Sequence, residues 1–350
     1  MEPLRFIPPS ASRLVGWLLL MSAGLSAGIC AKAQDTPLLS GTAGFVTNTT
    51  GGKTSYIPVF APLAAVPLGE HVLVESRAAI IESFAPDANG YSHSHFVALT
   101  YLQGDYIATS HLTVVAGSFL LPFNVYNERL TPTWIGNFQD EPLMEPLGLM
   151  SAGIGLGGQL RGSVVSHPKV SFDYAVWYSA RSANSQFKAD RSFGGRGSFY
   201  FPEQRLEVGA SYGRRMQGTH ENFAGAHLWW QSKDAGFRFR SEVARGQHAY
   251  GYWIEADSRP FAFGNLDSFA GRIEPVFRMQ QTFRIDNLAS DGLPSANTQR
   301  ADFGLDYNLP HNTRILTSYS RQFSSTGNVN IWETGIVYRF LFPAWKGHQK

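Results

Sequence analysis

The sequence predicts an all-β protein: a transmembrane, antiparallel, up-and-down β-barrel of 14 strands, with 16 as the alternative count. Apolar and polar residues alternate with period two along most of the chain, and no segment shows comparable helical spacing. After the N-terminal leader, no uncharged apolar run approaches the roughly 20 residues that a spanning helix requires. An exported chain rich in aromatic residues then enters a bilayer only as a closed barrel.

Residues 1–33 have the three-part layout of a secretory signal peptide. Arg5 and Arg13 precede or border the uncharged stretch LVGWLLLMSAGLSAGIC, and Ala31-Lys32-Ala33 supplies an A-x-A cleavage pattern. An uncleaved membrane anchor is the alternative, but the small residues that crowd the end of the stretch favour cleavage. We therefore predict export and divide the chain into a signal peptide (1–33), an N-terminal segment (34–69), a barrel (70–343) and a C-terminal tail (344–350).

Cleavage after Ala33 leaves 26 basic and 26 acidic side chains, so the basic pI comes mostly from the leader. A balanced charge of this kind gives no reason to expect a nucleic-acid partner. The one cysteine, Cys30, leaves with the leader. The exported chain then has no disulfide and no thiolate metal site, and we predict neither a metal nor a cofactor.

The period-two segments define the strands. In KVSFDYAVWYSAR (169–181) and GFRFRSEVAR (236–245), apolar side chains share one face and polar or charged ones the other. A soluble sandwich also alternates, but its wet face usually carries many lysines. Here the exported chain has six lysines, and only Lys169, at the very start of a segment, falls within a predicted strand, which favours the barrel. The predicted strands are 70–84, 91–104, 110–122, 154–165, 169–181, 193–202, 205–216, 220–232, 235–247, 249–258, 268–281, 299–308, 313–323 and 330–342.

The connections agree with this topology. If the last strand runs toward the periplasm, the turns at DYIAT, SHPK, PEQR, SKDAG, RPFAFG and PHN share the periplasmic side and are predicted to be short. The longer connections 123–153, 182–192 and 282–298 share the other side, as outer loops do in such barrels. Segment 34–69 is either periplasmic or an additional hairpin that raises the count to 16; its prolines leave both alternatives open.

A barrel of this width is too large for side chains alone to fill, so we expect water in its lumen. The facing pattern predicts pore-lining charges of both signs in similar number, which argues against strong selectivity by gross charge. Many of them are expected to form cross-strand ion pairs. The predicted pore-lining residues are Arg77, Arg161, Asp173, Arg238, Arg240, Glu242, Arg272, Glu274, Arg278, Asp302, Asp306 and Arg314.

The connection 123–153 has 31 residues, far more than an ordinary hairpin loop. It is stiffened by prolines, carries apolar side chains that favour burial, and is acidic in its distal part. We predict that it folds inward and narrows the pore; packing over the outer rim is the alternative. The predicted constriction residues are Asn127, Glu128, Arg129, Asp140, Glu141 and Glu145, of which the first three are expected to fix the base of the loop.

Three segments carry a family resemblance: GSFLLPFNVYNERLTPTW, ADFGLDYNLPHNTRILTSYSRQF and the terminal GIVYRFLF. They resemble segments of the phosphate-selective O and P porins of bacterial outer membranes. The resemblance implies a porin barrel in a Gram-negative outer membrane, with a homotrimer as one expected assembly. The exported chain lacks the clustered lysines that phosphate selectivity needs, and it continues past Phe342, where many such barrels end.

These observations predict a passive, water-filled channel for small polar or charged solutes, without catalysis, in contact with outer-membrane lipids. Two alternatives stay open. The first is a barrel that serves as a scaffold or sheath for a partner protein, such as a periplasmic electron carrier. The second is an outer-membrane lipid hydrolase, suggested by Ser211 in the G-x-S-x-G sequence GASYG, although Ser211 falls on the predicted lumen face.

Overall fold

The structure is a computed structural model that describes residues 36–130, 136–145, 153–185, 187, 189–218, 220–233, 236–261, 265–286 and 291–343. The predicted signal peptide 1–33 and the tail 344–350 lie outside these residues, as do parts of the long connection at 131–135 and 146–152. Among the described residues, no helix is both long enough and apolar enough to cross a membrane.

Sixteen strands form one closed antiparallel barrel in which each strand pairs with its neighbours in sequence and β1 pairs with β16. The strands are β1 (Leu38–Thr50), β2 (Lys53–Leu68), β3 (Val72–Asp87), β4 (Gly90–Thr109), β5 (Leu112–Leu120), β6 (Ile154–His167), β7 (Val170–Ser179), β8 (Ser192–Phe201), β9 (Leu206–Arg215), β10 (Glu221–Gln231), β11 (Arg238–Arg245), β12 (Ala249–Asp257), β13 (Ile273–Arg284), β14 (Thr298–Leu309), β15 (Thr313–Ser324) and β16 (Val329–Pro343).

The predicted barrel is confirmed, with the alternative count of 16 strands. The 14 predicted strands correspond to β3–β16, and segment 34–69 supplies the additional hairpin of β1 and β2. This hairpin tolerates its prolines because the ladder between β2 and β3 has no pairs at Pro58 and Pro62, two residues that lack an N–H to donate. Both prolines still align with β1, opposite Phe45 and Gly41.

The two faces of the wall differ as the alternation predicts. Charged side chains such as Arg240, Glu242 and Asp302 point inward and are buried. Apolar side chains at alternating positions, among them Val243 and Phe303, are exposed on the outside. This reversal of the soluble pattern is typical of a barrel whose outer surface meets lipid.

The barrel has two unlike ends. The terminal end holds the start of β1, the end of β16 and the turns β2–β3, β4–β5, β6–β7, β8–β9, β10–β11, β12–β13 and β14–β15. The opposite end, which we call the loop end, holds the other connections. Most terminal-end turns are short, but the β12–β13 connection runs from 258 to 272 and contains a 3-10 helix at Ala270–Arg272. The prediction of a short turn around RPFAFG was therefore wrong, because β13 begins at Ile273, five residues later than predicted.

Candidate functional site

The described parts of the connection between β5 and β6 (121–130, 136–145 and 153, which we call the inward loop) fold into the barrel, as predicted. Its base is closed by Asn127, whose Nδ2 donates to the carbonyl oxygens of Leu121 at 3.1 Å and Gly153 at 2.8 Å. These two carbonyls lie at opposite ends of the loop. One buried amide therefore holds the loop's entry and exit together.

A single helical turn, α1 (Tyr126–Arg129), begins just inside this base. The backbone amides of Val125 and Tyr126 both donate to Oε1 of Glu242 on β11, each at 2.8 Å. The amide of Asn124 donates to the hydroxyl of Ser211 on β9 at 2.9 Å. Because one oxygen of Glu242 accepts two successive backbone amides, this side chain anchors the start of the turn.

The two charged residues of α1 each pair with a different strand. Glu128 accepts a hydrogen bond from Arg196 on β8 at 2.6 Å. Arg129 donates to both carboxylate oxygens of Glu207 on β9, at 2.6 and 3.1 Å. The bidentate geometry fixes orientation as well as distance, so the turn is held against β8, β9 and β11 together.

The distal part of the loop crosses to the next strands. The side-chain amide of Asn137 donates to Glu255 at 3.0 Å and to Asp257 at 2.9 Å, both on β12. Arg314 on β15 donates to the side-chain oxygen of Asn137 at 3.1 Å. Asn137 therefore uses both ends of its amide and joins two non-adjacent strands.

Asp140 of the loop pairs with two arginines of the wall. Its carboxylate lies 2.7 Å from Arg278 on β13 and 2.5 Å from Arg300 on β14. Asp302 pairs with the same two arginines, at 2.8 and 2.9 Å. The guanidinium of Arg278 also lies 4.4 Å from the ring centroid of Phe138, a distance at which cation–π attraction operates.

Apolar packing supports these polar contacts. Phe123, Tyr126 and Met144 of the loop are buried in one cluster with Phe223 and Trp253 of the wall. Burying a large apolar side chain contributes about 1.5–3 kcal/mol. The inward loop is thus a folded part of the barrel interior.

The wall opposite the loop carries a separate polar network. Gln103 on β4 donates to Glu75 at 3.3 Å and to Asp105 at 2.9 Å, and Arg161 on β6 pairs with Asp105. Arg77 shares the inward face with them and is buried. Hydrogen bonds and ion pairs join the described parts of the loop to β8, β9 and β11–β15.

The other predicted residues have distinct surroundings. Arg238 pairs with Asp257 and Glu274, and Arg314 with Asp306. Arg240 pairs with Glu255 and Asp257 on β12. The structure places Asp173 on β7, half-buried on the side of the strand that carries buried Ala175. Arg272 was predicted in a strand but lies in the 3-10 helix before β13, 4.0 Å from Asp267, so its assignment to the wall was wrong.

Two predicted loop acids differ in their exposure. Glu141 is exposed, whereas Glu145 is 1% exposed. Burial raises the pKa of the Glu145 carboxyl well above its usual range, and the nearby carboxylates of Glu242 and Glu141 raise it further. A neutral, protonated Glu145 therefore suits this position.

Several residues that hold the loop were missed in the sequence. Glu255, Asp257 and Arg300 occupy inward positions of predicted strands, so their alternation was sufficient to find them. Arg196 lies in the glycine-rich FGGRGSF, where too few apolar side chains alternate to indicate which face of the strand Arg196 occupies. Neutral partners such as Asn137 carry no comparable signal.

Ser211 and His93 also have defined partners in the structure. Ser211 is buried on the inward face and accepts the Asn124 amide. His93 on β4 pairs with Glu82 on β3 at 2.6 Å. Within the described part of the chain, no group of three or more His, Cys, Asp or Glu side chains is arranged to hold a metal.

No family model and no curated protein matches the sequence. Solved structures do match. OmpF from Salmonella typhi, solved with daunomycin, has 12% identity and a TM-score of 0.59, covering 89% of this chain and 99% of its own. An anion-selective porin from Comamonas acidovorans has 10% identity and a TM-score of 0.56, covering 88% and 100%. A loop-L8 deletion mutant of OmpT, an outer membrane protein of Vibrio cholerae, has 9% identity and a TM-score of 0.58, covering 87% and 100%.

At these identities the likeness concerns the fold. The chain has a porin-type barrel: 16 antiparallel strands closed on themselves, with a long loop folded into the lumen. The specific O and P family is not among these neighbours.

Proposed function

We propose that the protein is an outer-membrane porin, a passive water-filled channel for small polar or charged solutes. One observation carries this proposal: a wide barrel is narrowed from within by a loop that is bonded to one side of its wall. A loop in this position leaves a polar passage rather than a filled core. Both the pairing of wall charges and the near balance of their signs favour weak charge selectivity.

The passage lies between the inward loop and the strands β1–β7. On the loop side it meets Glu141, which is exposed, and Asp140, whose side chain is 27% exposed. On the wall side it meets Arg161, whose side chain is 38% exposed, beside Asp105. Charges of opposite sign then face each other across the constriction and set up a transverse field, which orders dipolar solutes.

The alternatives are less well supported. A sheath for a partner protein needs a free lumen, and the inward loop occupies part of it. A lipid hydrolase needs a serine at the lipid-facing rim, whereas Ser211 is buried against the loop and bonded to its backbone. The resemblance to the O and P porins supports a homotrimer but no phosphate site, because the lysine cluster is missing.

Planar-bilayer recording of the purified, folded protein tests the proposal. We expect discrete conductance steps and a small zero-current potential in a potassium chloride gradient. Neutral polyethylene glycols above the size of the passage should leave the conductance unchanged, while smaller ones should lower it. Folded barrels that insert but conduct no ions would contradict the proposal, and co-purification of a stoichiometric partner would then favour the sheath. Native mass spectrometry checks the trimer separately.

A further inference from the structure

A groove of about 420 Å³ lies on the outer surface of the barrel, over β10–β13 and toward the loop end. Ala224 and Ala226 on β10 form its floor, and Tyr250, Tyr252 and Phe283 form a wall. The rings of Tyr250 and Phe283 stack at 4.7 Å. For scale, a dry apolar cavity of about 150 Å³ admits benzene.

The groove faces the membrane. Asn222, Ala224 and Ala226 are the outward residues of β10, because Glu221, Phe223 and His227 between them are buried in the lumen. By the same alternation Val243 and Arg245 on β11 point outward, and both are exposed. The groove is thus a recess for an apolar chain in the part of the wall that meets lipid.

Arginines mark the end of the groove nearest the loop end. Arg245 is itself a lining residue. Arg214 lies on the outward face of β9, opposite Asn222 of β10, and Arg245 lies opposite Ala224. With strands about 4.8 Å apart and a rise of about 3.4 Å per residue, the two arginines stand roughly 12 Å apart.

Neither arginine has a carboxylate partner among the described residues. The charged pairs in this region lie in other parts of the barrel. Arg215 pairs with Glu221 in the lumen, and His248 pairs with Asp286 in the loop-end connections. The Nε of Arg214 is buried and has no hydrogen-bond partner in the described structure. Most wall arginines, by contrast, are paired with a carboxylate.

We propose that this groove, with Arg214 and Arg245 at its end, binds an anionic phosphorylated lipid of the leaflet at the loop end. An arginine on the lipid face is costly at the bilayer midplane, but the cost becomes small near the interface. Guanidinium groups there match phosphate geometry bidentately, and basic pockets on membrane proteins bind lipid head groups. The groove holds one acyl chain while the arginines hold the head group.

Native mass spectrometry in an uncharged detergent tests the site, with diphosphorylated lipid A as the probe and phosphatidylcholine and inorganic phosphate as comparisons. The double variant Arg214→Gln and Arg245→Gln should bind lipid A at least about tenfold more weakly, because it loses the charge-assisted hydrogen bonds of both guanidinium groups. Ala224→Phe should fill the groove and weaken the binding of lipid A to a similar extent.

The matched control is Arg321→Gln. Arg321 also points outward near the loop end, on β15, but it bonds Asn330 and does not line the groove. Lipid A binding should be unchanged in this variant. Equal loss in the control, equal binding of phosphatidylcholine, or full lipid A binding by the double variant would each overturn the proposal. Competition by inorganic phosphate at the same concentration would show an anion site instead of a lipid site.

Discussion

The carboxylate of Asp140 lies 2.7 Å from the guanidinium of Arg278, although the two residues are 138 positions apart in the sequence. Arg278 is 1% exposed and also donates to the backbone oxygen of Asp140 at 3.1 Å. This pair fixes the distal part of the inward loop to the wall. The ion pair also neutralises charge that would otherwise face the lumen. It therefore affects both the width and the charge selectivity of the passage.

Asp140→Asn should loosen the distal loop and shift the channel toward anions. The substitution removes one negative charge that Arg278 and Arg300 share. Because Asp302 still pairs with both arginines, the cost should stay below that of a buried charge that loses its partner entirely, about 3–5 kcal/mol. Zero-current potentials in a salt gradient and open-channel noise measure the two effects. Asp286→Asn is the control, since Asp286 pairs with His248 in the loop-end connections and its side chain is 53% exposed. An equal shift in both variants would indicate a general charge effect.

Glu242→Ala should release α1 while leaving the barrel closed. The substitution removes the acceptor of two loop amides, and leaving a buried donor unsatisfied costs about 1–3 kcal/mol. Hydrogen exchange measured by mass spectrometry should rise in a peptide that covers 121–130 and stay low in β12. The control is Glu333→Ala, an inward wall carboxylate that bonds Asn48 and makes no recorded hydrogen bond to the described loop. If the peptide 121–130 stays protected from hydrogen exchange in Glu242→Ala, packing alone holds α1 in place.

Docking of the inward loop should weaken as the pH rises. Burial, together with Glu242 and Glu141, raises the pKa of Glu145 in the docked loop above its usual value. The docked state then retains a proton that an undocked loop releases. Its stability is therefore complete below about pH 4.3 and declines as the pH rises toward the raised pKa, by about 1.4 kcal/mol per unit.

Single-channel recordings between about pH 5 and 9 should show more gating noise at the alkaline end. Glu145→Gln, which mimics the protonated form, should remove this dependence and remain quiet at high pH. Glu203→Gln provides the control, because Glu203 is exposed in the turn between β8 and β9. Noise that rises equally in Glu145→Gln would assign the titration to another group.

Much of this architecture could be predicted because lipid and lumen impose opposite demands on alternate residues. In GFRFRSEVAR, for example, the alternation separates Val243, which is exposed, from Arg240 and Glu242, which are buried. The hairpin β1–β2 was less certain, since prolines at 58 and 62 weaken a strand prediction. The structure accommodates them by interrupting one ladder locally, which no local pattern reveals.

The partners of the inward loop could not be predicted in the same way. Arg129 and Glu207 are 78 residues apart, and their pairing depends on how far the loop descends into the barrel. That depth follows from the position of α1. Backbone amides and the side chain of Asn127 help to fix α1, and these groups leave no charge pattern in the sequence from which their partners could be predicted. The sequence therefore indicated an inward loop and its charged residues but not which strands they would meet.

Gly225→Ala tests the fit of the loop base against the wall. Gly225 lies on the inward face of β10, and a Cβ added there would come within 2.5 Å of Oδ1 and 2.9 Å of Nδ2 of Asn124. The nearest atoms belong to one loop side chain, so the substitution should displace the loop and spare the barrel. Overpacking of this kind costs about 1–3 kcal/mol, and we expect faster exchange of the Asn124 segment and noisier channels.

The second substitution Asn124→Gly should restore a quiet channel to Gly225→Ala. It removes the clashing side chain, and glycine suits the left-handed backbone that Asn124 adopts with φ of 52°. Gly158→Ala is the matched control, because a Cβ there approaches nothing closer than the Val115 carbonyl oxygen at 3.5 Å. If Asn124→Gly fails to rescue Gly225→Ala, the disturbance lies in the strand, and the loop base is not in contact with β10 as the structure has it.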